Sequence, residues 1–83
     1  MAGRPVIIDV RSRGEFKTGN IKGSINIPLN ELVKGVRKNK IYPDQQITIY
    51  CESGARAGAA VNILKSQGYL NLKNGGSISA MRR

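Results

Sequence analysis

The apolar positions fall in short runs separated by polar, glycine-bearing stretches. Val6-Ile7-Ile8-Asp9-Val10 is rich in β-branched residues without alternation, the pattern of a strand buried on both faces. Asp9 stands out there, because a buried charge needs a partner. Ser12 to Gly19 is polar and predicts one helical turn around Glu15-Phe16-Lys17. Ser24-Ile25-Asn26-Ile27 predicts a second short strand, stopped by Pro28. Leu29, Leu32, Val33 and Val36 follow the spacing of an amphipathic helix, with Asn30 as its N-cap. Lys34, Arg37 and Lys38 fall toward its negative end. Asn39 to Gln46 reads as a loop, and Ile47-Thr48-Ile49-Tyr50 as a third strand that runs straight into Cys51. Ala57 to Gln67 predicts a helix with Ala57, Ala60, Val61 and Leu64 on one face, ended by Gly68. Tyr69 to Lys73 predicts a fourth strand, Asn74-Gly75-Gly76 a turn, and Ser77 to Arg83 a last helical turn or a frayed end.

Strands that alternate with helices imply an α/β fold. The expected architecture is a central parallel sheet of about four or five short strands with helices on both faces. The 83 residues allow one domain, expected over 1–83 with its core at about 6–77 and only a thin interior. Ligands in such sheets bind beyond the carboxyl ends of the strands, which is where Cys51 stands.

Charge changes the picture in one respect. Lys and Arg number 14 against 5 Asp and Glu, a net +9 that draws anions. The basic residues are scattered rather than blocked, which is the pattern of a solvated surface. With four aromatic residues (three Tyr, one Phe) and no basic-aromatic interleaving, nucleic acid is not an expected partner. A basic face leaves room for an acidic protein partner. No apolar run approaches the ~20 residues that span a membrane. Met1-Ala2-Gly3-Arg4-Pro5 is too short for a signal peptide and reads as a junction that replaced a natural leader. A single unpaired cysteine suits a reducing cytoplasm, whereas a removed leader would direct the protein to the periplasm.

The chemistry is concentrated in a strand, a cysteine, a tight loop and a helix. Successive N–H groups in such a loop curl into an anion-binding nest, and the helix adds its positive end. Both favour a thiolate, the nucleophilic form of cysteine. Gly54 supplies a residue free to take positive φ, and the small side chains of Ser53, Ala55 and Ala57 predict an open mouth. The bland alternative is a cysteine that merely ends a buried strand.

Three groups of residues carry a family resemblance. The first is Asp9-Val10-Arg11, Glu15-Phe16 and the stretch Gly19 to Pro28. The second is Tyr50-Cys51-Glu52-Ser53-Gly54-Ala55-Arg56. The third is Gly68-Tyr69 with Asn74-Gly75-Gly76. In this order they resemble the rhodanese-like domains, from about residue 6 to 77. Within that family the chain looks most like the short, single-domain bacterial thiosulfate sulfurtransferases, including the phage-shock type exported to the periplasm. The resemblance implies Cys51 as the catalytic nucleophile. It would take sulfur from thiosulfate or a similar small anionic donor, form a persulfide and pass the sulfur to cyanide or a thiol. The N–H groups from Glu52 through Ser53, Gly54 and Ala55 to Arg56 would hold the substrate and the persulfide. No metal or organic cofactor is implied. Asp9, Arg11 and Glu15 are the expected braces of the loop. Arg56 either reaches the substrate or pairs with Asp9 or Glu15, and bracing is favoured because Asp9 needs a cation. Glu52 puts a negative charge in the loop that opposes anionic donors unless it faces solvent. The chain departs from the family at Asn20, where a His is frequent, in its short front, and in a tail without Trp.

Other chemistries fit less well. The phosphatase loop Cys-x5-Arg is one residue longer than the Cys-x4-Arg of Cys51 to Arg56. The absence of His excludes a Cys-His protease, and there is no P-loop. The alternative that remains is a catalytically weak module of the same family, docking on a protein or carrying sulfur.

Overall fold

The computed structural model describes residues 3–83. Its elements run β1 (Val6–Asp9), α1 (Arg13–Thr18), β2 (Ile25–Asn26), a 3-10 turn (Leu29–Glu31), α2 (Leu32–Lys38), β3 (Gln46–Cys51), α3 (Ala55–Ser66), β4 (Asn71–Ser77) and α4 (Ile78–Met81). The four strands form one parallel sheet in the order β2-β1-β3-β4. Ile8 sits at its centre, in register with Ile25 on one side and Ile49 on the other. Ile8 and Ile49 have no exposed surface, and Ile47, Val10, Leu32, Val36, Ala60 and Leu64 complete the core around them. β-Branched runs buried on both faces are what a parallel sheet requires. The buried face of α3 is Ala57, Ala60 and Leu64, and the helix packs on β3 and β4.

Several boundaries differ from the sequence reading, each for a local reason. The expected helix after Pro28 is divided into a tight 3-10 turn and the seven-residue α2. Asn30 lies inside that turn and caps nothing; Pro28 and Glu31 occupy the cap positions, neither with a side-chain cap bond. α3 begins at Ala55, two residues early, because Gly54 in the left-handed region (φ +97°) already turns the chain into it. At its far end the Tyr69 N–H donates to the Leu64 carbonyl and the Gly68 N–H to Lys65, a Schellman closure. Tyr69 therefore belongs to the helix end, and β4 starts only at Asn71.

The expected turn at Asn74-Gly75-Gly76 is part of β4 instead. Ile49 pairs with Asn74 and Tyr50 with Gly76, so Gly75 is the extra residue of a bulge. A Cβ on Gly75 would lie 2.6 Å from the Met81 sulfur and 3.0 Å from Thr48 Cγ2, so only glycine allows α4 to pack so closely. The chain end is helical, with the Ser77 hydroxyl accepting from the Ala80 N–H at 3.0 Å. None of the helices is long and apolar enough to cross a membrane among the described residues.

Candidate active site

β3 delivers Cys51 to the carboxyl edge of the sheet, in register with Ser77 of β4. The chain then turns through Glu52, Ser53 and Gly54 into α3. A helix N-terminus leaves its first N–H groups without intrahelical acceptors. Gly54 stands at the N-cap and has no side chain to supply one. The Cys51 sulfur fills that role, accepting from the Gly54 N–H at 2.9 Å and the Ala57 N–H at 3.4 Å. The N–H groups of Ala55 and Arg56 lie between these two in sequence, in the first helical turn, again without intrahelical acceptors.

The expectation of an open mouth is corrected. Cys51 and Ala57 have no exposed surface, while Glu52, Ser53 and Ala55 are exposed. The small side chains let the loop close over the sulfur instead of leaving it bare. The Gly54 backbone meets that of Gly76 across the loop; a Cβ on Gly54 would lie 3.5 Å from the Gly76 Cα. Cys51 does end a buried strand, as the bland alternative has it, but its sulfur also accepts from two amides.

Two arginines frame the loop, and the structure assigns each a different carboxylate. Arg56 forms a two-pronged pair with Glu15, at 2.7 and 2.9 Å. Glu15 also accepts from the Ser12 N–H at 3.0 Å, while the Ser12 hydroxyl accepts from the Glu15 N–H at 3.2 Å. This capping box starts α1 and fixes the carboxylate in place. The Arg56 guanidinium, followed by the Ser12 amide, lowers the Glu15 carboxyl from 4.5 to about 2. Hydrogen bonding to Glu15 in turn raises Arg56 above its ordinary value.

Asp9 is wholly buried and belongs to Arg11. Its oxygens accept from the Arg11 N–H at 2.9 Å, from Nε at 3.1 Å and from Nη2 at 2.8 Å. Arg11 also donates to the Gly19 carbonyl at 2.6 Å and reaches Glu52 at 3.4 Å. Hydrogen bonding to Asp9 outweighs burial and raises the guanidinium above its ordinary value. Of the groups around the loop, Glu52 is tied least, with 62% of its side chain exposed.

Three residues in this frame had no part in the site expected from the sequence. Tyr50 is fully buried, accepts from the Ile21 N–H at 3.0 Å and lies 3.0 Å from the Ser24 hydroxyl. The Arg11 guanidinium stands over its ring, 5.8 Å from the centroid. The Asn26 amide donates to the carbonyls of Asp9 and Arg11, clamping the turn after β1. Ser12 does leave a signal, since Ser12-x-x-Glu15 is the capping-box spacing. Tyr50 and Asn26 fall within the family motifs, but their partners are set by strand pairing and are not legible from the sequence. Among the described residues, no group of three His, Cys, Asp or Glu side chains is placed to hold a metal ion.

The chain matches the rhodanese-like domain family over residues 1–77. It belongs to that family. It is 31% identical over 71 residues to the thiosulfate sulfurtransferase PspE of Escherichia coli, covering 86% of this chain and 68% of that one. It is 37% identical over 68 residues to YrkF of Bacillus subtilis, which is named as a candidate sulfur carrier protein. That match covers 82% of this chain and 36% of YrkF. A rhodanese from E. coli solved with anions superposes with a TM-score of 0.87 at 29% identity, covering 92% of this chain and 89% of that one. The rhodanese-like chain spans 56% of the length of a further B. subtilis relative, so some relatives carry substantially more sequence.

Proposed function

We propose that this rhodanese-like chain, as one domain over residues 1–83, is a sulfurtransferase that carries sulfane sulfur on Cys51. The observation that carries the reading is the Cys51 sulfur accepting two amides at a helix N-terminus, an arrangement that stabilises negative charge on sulfur. The Cys51 thiolate attacks the outer sulfur of thiosulfate. A new S–S bond forms, the S–S bond of the donor breaks, and its electron pair leaves with sulfite. Cys51 then holds a persulfide anion, which cyanide or a thiol relieves of its terminal sulfur. The free amides of Ala55 and Arg56 suit that terminal sulfur, with Glu52, Ser53 and Gly54 completing the wall. Asp9, Arg11 and Glu15 hold the wall from behind. The sulfur has no exposed surface in this conformation, so the donor reaches it only when the loop parts. Neither a metal nor an organic cofactor is needed for these steps.

Incubation with thiosulfate is expected to add the mass of one sulfur atom, removable by cyanide, and Cys51→Ser is expected to gain nothing. Equal gain by the variant overturns the assignment. The burial of Cys51 favours a second reading, in which the domain carries sulfur with little turnover. That reading requires one equivalent of sulfur to load while steady-state thiocyanate production stays near background.

A further inference from the structure

Three of the chain's five carboxylates, Asp9, Glu15 and Glu52, gather around the loop that carries Cys51. Two of them are fully engaged. Glu15 receives both arms of Arg56, and Asp9 receives Nε and Nη2 of Arg11. Among the described residues Glu52 has a single polar contact, 3.4 Å from Arg11 Nη1, and that arginine already serves Asp9. Among the described residues no other cation lies within ion-pair distance of Glu52. One positive charge is shared by two carboxylates, which leaves the charge of Glu52 largely uncompensated. It adjoins the nucleophile in sequence, and although 62% of its side chain is exposed it is held toward Arg11 at the loop instead of turning away, so solvent weakens its effect on an anionic donor without removing it.

We propose that Glu52 selects the donor by charge, disfavouring the thiosulfate dianion and admitting monoanionic sulfane donors of the thiosulfonate class. The proposal rests on Cys51 being the sulfur acceptor. With methanethiosulfonate the chemistry at sulfur is the same. The Cys51 thiolate bonds to the terminal sulfur, the S–S bond breaks, and the electron pair leaves on methanesulfinate in place of sulfite. The two donors present the same sulfane sulfur and differ by one unit of charge, so the Glu52 carboxylate repels thiosulfate about twice as strongly. For a carboxylate some 6–8 Å from that extra charge, in a partly solvated mouth, the difference amounts to roughly 3- to 10-fold in relative rate. The net +9 of the chain does not cancel this preference, because its charges are dispersed and screened beyond about 10 Å.

The test compares kcat/KM for thiosulfate and for methanethiosulfonate in the unmodified protein, in Glu52→Gln and in Asp44→Asn. Asp44 lies in the turn before β3, at the opposite end of that strand from Cys51, and its neutralisation changes net charge equally. The thiosulfate-to-thiosulfonate ratio is expected to rise roughly 3- to 10-fold in Glu52→Gln. It should stay within experimental error in Asp44→Asn, and the rise should shrink at high salt. An unchanged ratio in Glu52→Gln, or an equal rise in Asp44→Asn, overturns the proposal. If neither donor adds sulfur mass to Cys51, the underlying assignment fails and the selectivity claim fails with it, an outcome distinct from sulfur loading without a change in ratio.

Discussion

Replacing Glu15 by Gln isolates the ion pair that holds Arg56 behind the loop. Glutamine at the third helical position still serves a capping box, so the start of α1 is retained and only the charge is lost. Taken alone, a carboxyl held at about 2 against an ordinary 4.5 corresponds to about 3 kcal/mol. Water reaches the pair, however, with 34% of the Glu15 side chain and 38% of Arg56 exposed. Screening at that exposure brings the expected loss to about 0.5–1 kcal/mol. For a domain of this size the melting temperature would fall by about 2–8 °C at neutral pH. The sign of the pH dependence follows from the depressed carboxyl. Its contribution is fully present above pH 4.5 and is lost as pH falls toward 2, because the unfolded chain takes up the proton first. Thermal melts of both proteins at pH 7, about pH 4 and about pH 2.5 therefore show a gap that narrows on acidification and is mostly gone at the lowest value. A gap that persists undiminished there, or no gap at pH 7, would refute the assignment of this ion pair as a stabilising brace.

Three further substitutions examine other parts of the frame. Gly54→Ala forces a side chain into φ +97° and is expected to cost about 1–3 kcal/mol in urea unfolding and to slow sulfur loading; unchanged loading would detach the loop conformation from the chemistry. Gly35→Ala drives a methyl group into Ile27, so the usual helix-propensity gain is reversed to a loss of about 1–3 kcal/mol, measured by the urea midpoint. Tyr50→Phe removes the acceptor of the Ile21 N–H and should cost about 1–3 kcal/mol, with faster hydrogen exchange at that amide as the direct readout.

How much was legible beforehand depended on the range of the interaction. The strands at Val6–Asp9 and Gln46–Cys51 showed themselves because a strand covered on both faces reads as a nearly continuous apolar, β-branched run, here Val6 to Ile8 and, apart from Thr48, Ile47 to Tyr50. The loop around Cys51 was legible from its place between a strand and a helix. The bulge was not, because Asn74-Gly75-Gly76 has turn composition and only the close packing of Met81 and Thr48 explains why glycine continues the strand there. The pairing of the arginines was equally hidden. Arg56 and Glu15 are 41 positions apart, and two carboxylates were available to it in the sequence; Arg11 lies two residues from Asp9 and takes it through four hydrogen bonds.

That division of partners bears on how so small a domain keeps an exposed loop in place. The core ends at Cys51 and Ala57, and beyond them the loop offers Glu52, Ser53 and Ala55 to water with little apolar surface to bury. Hydrophobic packing therefore fixes the two ends of the loop but not its middle. The middle is held by hydrogen bonds and charges that reach across from the turn after β1 and from α1: Arg11, anchored on Asp9, to Glu52, and Glu15 to Arg56. These bonds weaken without unfolding the sheet, since the Ile8–Ile49 centre does not depend on them. Under the proposed function, the loop parts to admit a donor to a sulfur that is otherwise covered, while the scaffold stays folded. On the proposed function, access to Cys51 depends on these outer contacts more than the fold does, and substitutions at the outer carboxylates should alter sulfur loading more than they alter global unfolding.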